Sequence, residues 1–458
     1  MTPQLAARIA GPVFVPGDDG YDEERTGYQT LNPHRPSVVV AATSAEDVRV
    51  AVEYAAERGL PVAVQATGHA PAPFADGCVL ITTGRMTGVH VDPAARTARF
   101  EAGVRWQHIV DAAAPHGLAP LSGSAPGVGA VSYTLGGGLG LLARRYGYAA
   151  DHVRSIDLVT ADGKSVTVTA DSHPDLFWAL RGGRDNFGVV TALEIGLFPV
   201  ARLYGGGLYF PGERAQEILE AYRDWTATVP DETTSSIALV PLPHLPHLPE
   251  PIRGKYVVHV RIAHCGDSAS GADLVAPLRA LGPRLLDTVG ELPYAKSGLI
   301  HSDPPNPMAY VASNVLLREF GADTAGRLLE LAGPGAPRTA IVEVRHLGGA
   351  LSAEPAVPNA VGHRDAAYLV GVLFRVPEGD SPAPLEAARD RVLSALEPLT
   401  VGRGLNFLYA ADPGVVRAAY DADAYARLRE LKAVHDPGNR FRANLNIPPA
   451  DGPSAPQD

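Results

Sequence analysis

The sequence predicts an α+β protein built from more than one domain, and three observations carry that expectation. The 458 residues exceed what one hydrophobic core organises. Residues 37–64 read as strand, helix, strand. After Pro199, long strands alternate with amphipathic helices, the pattern of an antiparallel sheet backed by helices.

Taken in order, Ser37 to Ala42 reads as a short buried strand. Ser44-Ala45-Glu46-Asp47 has the form of a capping box, and Val48, Ala51, Val52 and Ala55 follow at helical spacing up to Gly59. Pro61 to Val64 is the next strand and runs directly into Gln65. Alternation marks strands at 89–91 and 97–100, and a helix is expected from Arg105 to His116. Strands follow at 156–160, 165–169 and 189–197. Between the last two, Pro174 marks the first turn of a helix. Beyond Pro199, strands are expected at 256–263, 340–347 and 367–376, and helices at 215–225, 324–331 and 385–396.

Composition narrows the classes. The chain is 46% hydrophobic, and its 48 Gly and 41 Pro imply many turns. A formal charge of −11 argues against nucleic-acid and anionic-membrane partners. Cys78 and Cys265 form neither a disulfide framework nor a metal site and read as free thiols. Met1 to Arg8 lacks the form of a signal peptide, and no apolar run approaches the ~20 residues of a membrane span, so the expected location is cytoplasmic. His244 and His247 lie in a Pro-rich segment without co-ligands, so an exposed loop is expected there and no metal.

Two segments carry chemistry. Gln65-Ala66-Thr67-Gly68-His69-Ala70 places a histidine on a small-residue turn after a strand. Leu135-Gly136-Gly137-Gly138-Leu139-Gly140 is a glycine run. Small residues let the backbone approach a ligand, and successive amides can cradle a pyrophosphate. A histidine on such a turn is suited to act as a nucleophile or a cofactor attachment point; its alternative role is a loop hydrogen bond. The glycine run lacks the full Gly-x-Gly-x-x-Gly spacing and the acidic residue that should follow, which argues against a nicotinamide site.

Further blocks join these two: Gly11-Pro12-Val13 with Pro16-Gly17-Asp18, Arg181 to Thr191, Glu343 to Ala350, and Asp436 to Ile447. In this order they resemble the berberine-bridge-enzyme-like branch of the vanillyl-alcohol oxidase and p-cresol methylhydroxylase superfamily. The resemblance implies a two-part FAD-binding domain of the p-cresol methylhydroxylase type at 1–198 and a substrate domain over the flavin ring at 199–403. Residues 404–450 would return to the FAD-binding domain, leaving a disordered tail at 451–458.

Residue by residue, the resemblance implies FAD linked covalently through His69. Relatives often add a second link from a cysteine; Ala125 stands in its place here, so a single link is expected. Gln65, Ala66, Thr67, Gly68 and Ala70 match the pyrophosphate turn, with Gln65 where relatives usually carry arginine. Pro126, Gly127, Gly129, Tyr133, Thr134, Leu135, Gly136, Gly137, Gly138 and Gly140 match the second flavin-contacting loop. Gly188, Val189 and Val190 match the adenine end, and Asn444 and Asn446 the C-terminal segment near the ring.

The implied activity is hydride transfer from a small or medium-sized organic substrate to flavin N5 while a base takes a proton. Oxygen would then accept the electrons and give hydrogen peroxide. Gly123 matches an oxygen-gating position and favours an oxidase over a dehydrogenase. The Ala, Gly, Arg and Pro content suits a GC-rich bacterial genome and a secondary-metabolite intermediate as substrate. The usual base is missing: Gly404-Leu405-Asn406 lacks the tyrosine of the relatives, and no glutamate follows His363-Arg364 at the matching place. Tyr368, Tyr409 and His346 are the candidate catalytic residues, with Glu343, Arg345 and His363 as further polar candidates. Strand alternation turns half of them away from the flavin. The missing base keeps open a flavin-dependent oxygenase, a redox-neutral tailoring enzyme, and a metabolite-binding protein with a non-catalytic flavin.

Overall fold

The computed structural model describes residues 2–69, 75–409 and 412–451. Ala70 and residues 452–458 of the tail expected from the sequence lie outside them. Among the described residues three sheets form. Val13–Phe14, Val38–Ala41, Val79–Thr82 and Val62–Gln65 make a four-stranded sheet whose last three strands run parallel. Valine-rich strands suit a sheet buried on both faces. The helix Ala45–Glu57 packs Val48, Ala51, Val52 and Ala55 into the core of this sheet.

The capping box forms only in part. Ser44 caps the helix by accepting from the Asp47 amide at 3.2 Å. The Asp47 carboxylate does not return to the Ser44 amide. It accepts instead from the amides of Ala10 (2.8 Å), Gly11 (3.2 Å) and Thr43 (2.9 Å), which fastens the N-terminal Gly-Pro segment to the helix.

A second, antiparallel sheet has the order Val89–Asp92, Thr97–Glu101, Val189–Gly196, Val153–Val159, Ser165–Val168. It shares a core with the helices Trp106–Ala113, Ala130–Leu135 and Pro174–Gly183. The C-terminal segment closes on both units. Leu445 and Ile447 enter the core of the second, and Phe441 that of the first. Asn186 locks it there, donating to the Leu445 carbonyl (3.0 Å) and accepting from the Ile447 amide (2.8 Å).

The third sheet is antiparallel and nine-stranded among the described residues. Several of its strands escape sequence reading. Arg202–Pro211 contains three glycines in a row, and Thr233–Pro241 and Tyr310–Leu317 carry Ser, Thr and Asn at inward positions. Burial is what makes them strands. One face packs on the helices Ala215–Thr226, Ser268–Arg279, Ala322–Ala332 and Ala383–Leu396, through Val260, Ile262, Val342, Val344, Val370 and Val372 among others. The opposite face covers the glycine run, where Leu316 and Leu369 meet Leu139 and Tyr148. No helix among the described residues is long and apolar enough to cross a membrane.

Candidate functional site

Three adjoining spaces lie where the units meet. The first is a cleft of about 630 Å³ between the Gln65–His69 turn, the helix Ala130–Leu135, the Arg184-Asp185 turn and Asn444. Gly68, at φ +65°, makes the turn; a Cβ there would lie 2.5 Å from the Gly27 Cα, so only glycine fits. At Gly129 a Cβ would press on Ala66 at 3.3 Å, and the bare backbone lets the two loops approach.

His69 is held firmly. Its ring stacks on Tyr28 at 4.0 Å, its Nδ1 pairs with the Thr67 hydroxyl at 2.9 Å, and its carbonyl accepts from the Tyr310 hydroxyl at 2.6 Å. Burial, with the Arg105 charge adding, pushes its pKa down to about 4, so the imidazole is neutral at physiological pH. Nε2 is the ring nitrogen without a hydrogen bond among the described residues.

Of the other residues expected to hold the cofactor, Gln65, Ala66, Gly68, Leu135, Val190 and Asn444 line this cleft. Gly136 and Gly138 line the second space, of about 470 Å³, with Asn406 and Leu369. Gly137 packs on Tyr148 and Val361. Asn406 donates to the Tyr133 carbonyl at 2.8 Å and so holds the start of the glycine run. Gly140 lines the third space, of about 350 Å³. Tyr133 is buried against Trp106, and its hydroxyl lacks a partner among the described residues. Its ring also takes up the room at Gly123, where a Cβ would meet it at 2.9 Å.

Other members of the set are structural in this geometry. Thr134 bonds back to the Ala130 carbonyl, Val189 is buried in the first core, Gly188 packs on Leu158, and Pro126 abuts Gly298. Gly127 has open space around its Cα, and the Asn446 Oδ1 is buried without a partner.

The strand register sorts the candidate catalytic residues. Val342 and Val344 face the helices, so Glu343 and Arg345 face the glycine run. Adjacent strands place Ser236 opposite both Arg261 and Arg345. Glu343 gathers this face: Arg261 (2.7 Å), Arg345 (2.8 Å) and Ser236 (2.9 Å) all donate to its carboxylate. Burial alone would raise its pKa, but Arg345 and Arg261 outweigh burial and hold it below the ordinary value. His301 lies 3.7 Å from it; burial and both arginines keep that ring neutral.

Tyr368 has the helix-facing parity, whereas His346, at the end of its strand, lines the third space beside Arg345 and Leu347. Tyr368 bonds Thr226 at 2.7 Å, and the His346 ring is tied by its Nε2 to Arg144 at 3.1 Å. Burial, then Arg144, lowers the His346 pKa to about 3. Tyr409 stands edge-on to Tyr310, 5.5 Å between centroids, and it is the Tyr310 hydroxyl that reaches the His69 carbonyl. His363 and Arg364 serve the scaffold, on the Ala418 carbonyl (3.0 Å) and Asp151 (2.6 Å). Sequence reading missed Arg261, although its strand was expected at 256–263, and Ser236 and His301, on or beside elements it did not read. It also passed over Arg184, although a charged residue directly after Gly182-Gly183 was a visible signal.

The cleft is lined by a neutral histidine beside a glycine turn, with buried polar atoms (Gln65 Oε1, Arg184 Nε) that lack a partner among the described residues in its wall. FAD fits these features, and together with the fold they define an FAD-dependent oxidoreductase. Residues 36–169 match a family model described as an FAD binding domain, and residues 405–448 one described as berberine and berberine like. The chain is 30% identical over 467 residues to (R)-6-hydroxynicotine oxidase of Paenarthrobacter nicotinovorans, covering 96% of this chain and 97% of that protein. It is 24% identical to the xylooligosaccharide oxidase of Thermothelomyces thermophilus, covering 96% and 93%. The crystal structure of 6-hydroxy-D-nicotine oxidase from Arthrobacter nicotinovorans superposes with a TM-score of 0.82 at 27% identity, covering 96% of this chain and 98% of that one. The chain belongs to the berberine-bridge-enzyme-like FAD-linked oxidoreductases of the vanillyl-alcohol oxidase and p-cresol methylhydroxylase superfamily.

Proposed function

We propose that the protein is an oxidase of a small organic alcohol or amine, with FAD attached through His69 alone. The observation that carries the attachment is the neutral His69 ring, clamped by Tyr28 and Thr67 with Nε2 unpaired among the described residues. Bound FAD supplies a hydride acceptor and a route for electrons to oxygen. The turn Gln65–Gly68 binds the phosphates, and the glycine run supports the ring.

The substrate lies between the glycine run and the sheet face bearing Ser236, Arg261, Glu343 and Arg345. The third space, lined by Gly140, Ser236, Arg261, His301, Arg345 and His346, opens beside this face. Glu343 stays ionised at neutral pH and accepts a hydrogen bond from the substrate O–H or N–H. Its arginines make it a weak base, so it holds the substrate O–H or N–H in place and does not ionise it ahead of hydride transfer. The named activities of the relatives, on 6-hydroxynicotine and on xylooligosaccharides, bracket the class.

The first test is a denaturing gel viewed for flavin fluorescence. Fluorescence should stay with the wild-type band and vanish in His69→Ala; flavin that washes off the wild type refutes the link. A panel of alcohols and amines, followed by flavin bleaching without oxygen and peroxide release with it, tests the oxidase. Bleaching by none of them would favour a metabolite-binding protein.

A further inference from the structure

Among the described residues of the cleft, Arg184 is the charged one whose placement lacks an internal reason. It is 6% exposed. Its backbone has φ +57° and ψ −138°, a conformation L side chains rarely adopt and glycine takes freely. A buried guanidinium should be paired. Among the described residues this one has no ion pair and no hydrogen bond, and its Nε is fully enclosed. The neighbouring Asp185 carboxylate is turned to Asn444 at 3.2 Å instead. Arg184 is also the single cation among the described residues lining the cleft, since His69 is neutral and Gln65 uncharged. A strained, enclosed and unpaired cation facing a turn of backbone amides is explained by an anion between them.

We propose that Arg184 is the charge partner of the FAD pyrophosphate, and that the same contact gives the cleft affinity for a nucleoside diphosphate. Backbone amides of the Gln65–Gly68 turn would approach the phosphates from one side and the Arg184 guanidinium from the other. The strain at this position is then kept for binding, since a glycine would relax the turn but remove the charge.

The inference rests on assigning the cleft to the ADP half of FAD, and the experiment separates the two. In the full-length His69→Ala protein, where flavin binds reversibly, affinities for FAD, ADP and riboflavin are measured with Arg184 kept, or changed to Met, Lys or Gly. Arg184→Met and Arg184→Gly should weaken FAD and ADP by about 10- to 100-fold and leave riboflavin unchanged. Arg184→Lys should recover part of the loss. The flavin-free Arg184→Gly protein should melt above its parent, because the strain is relieved. Unchanged FAD and ADP affinity in the Met and Gly variants overturns the proposal, as does an equal loss for riboflavin. If the parent binds riboflavin but not ADP, the cleft assignment fails and the proposal with it.

Discussion

Replacing Lys432 with Met tests how the C-terminal segment is held to the cofactor cleft. The Lys432 side chain is fully buried and its ammonium donates to the Asp436 carboxylate (2.7 Å), the Asn186 carbonyl (2.6 Å) and the Phe441 carbonyl (3.1 Å). Asp436 is 1% exposed and also accepts from the Arg440 and Phe441 amides (2.8 and 2.9 Å). Met keeps the stem and removes the charge, leaving a buried carboxylate with amide donors only. Removing one partner of such a pair costs about 3–5 kcal/mol. For 458 residues the unfolding entropy is about 1 kcal/mol per kelvin, so the melting temperature should fall by about 3–5 °C if the chain unfolds as one unit. Lys432→Met/Asp436→Asn removes the orphan charge and should recover most of the loss. The assay is thermal unfolding of the three flavin-free proteins side by side, with FAD affinity measured in parallel. Asn186 links this pair to Leu445 and Ile447, two residues from Arg184, so FAD affinity should fall together with the melting temperature. A shift under about 1 °C, or a double variant no better than the single one, would refute the reasoning that burial makes this pair matter.

Three further outcomes follow from the geometry. Glu343→Gln should lower turnover by about 100-fold or more, while Tyr368→Phe, which loses only a bond to Thr226, should stay within about twofold; the reverse order in steady-state kinetics would put the chemistry on the other face of the sheet. Covalent flavin incorporation into the apoprotein should keep its rate from about pH 8 to about pH 5, because the His69 imidazole stays neutral until its lowered pKa of about 4; a rate titrating near the ordinary 6.5 would mean a solvated ring. Burial opposes the charge on Asp47, but hydrogen bonds from Thr43, Ala10 and Gly11 prevail and lower its pKa. A group with a lowered folded pKa stabilises above its unfolded value and loses that contribution as pH falls through the folded one. Asp47→Ala should therefore cost about 1–3 kcal/mol at neutral pH, and the gap to wild type should narrow in acid; a pH-independent gap would point to packing alone.

Much of this protein was legible in the chain because its signals are local. Glycine needs at Gly68, the helical spacing of Val48 to Ala55 and the alternation of the strands at 89–92 and 97–101 are decided by neighbouring residues. So was the small-residue turn Gln65–Gly68, since a strand that ends at a small-residue loop offers its amides wherever it sits in a fold. The glycine-bearing strand Arg202–Pro211 could not be read that way, because its conformation is set by partners at 256–264 and 290–293. The sheet face over the glycine run is the clearest case. Glu343, Arg345 and Tyr368 are equally polar on paper, and a one-residue step decides which meet the glycine run and which meets Thr226. That step is fixed by which side of the sheet the helices cover, and so by apolar burial summed over the whole domain. Arg184 shows the same division: its charge and its glycine neighbours are in the sequence, but its burial, its strained φ and its lack of a partner among the described residues exist only once the chain has closed around it.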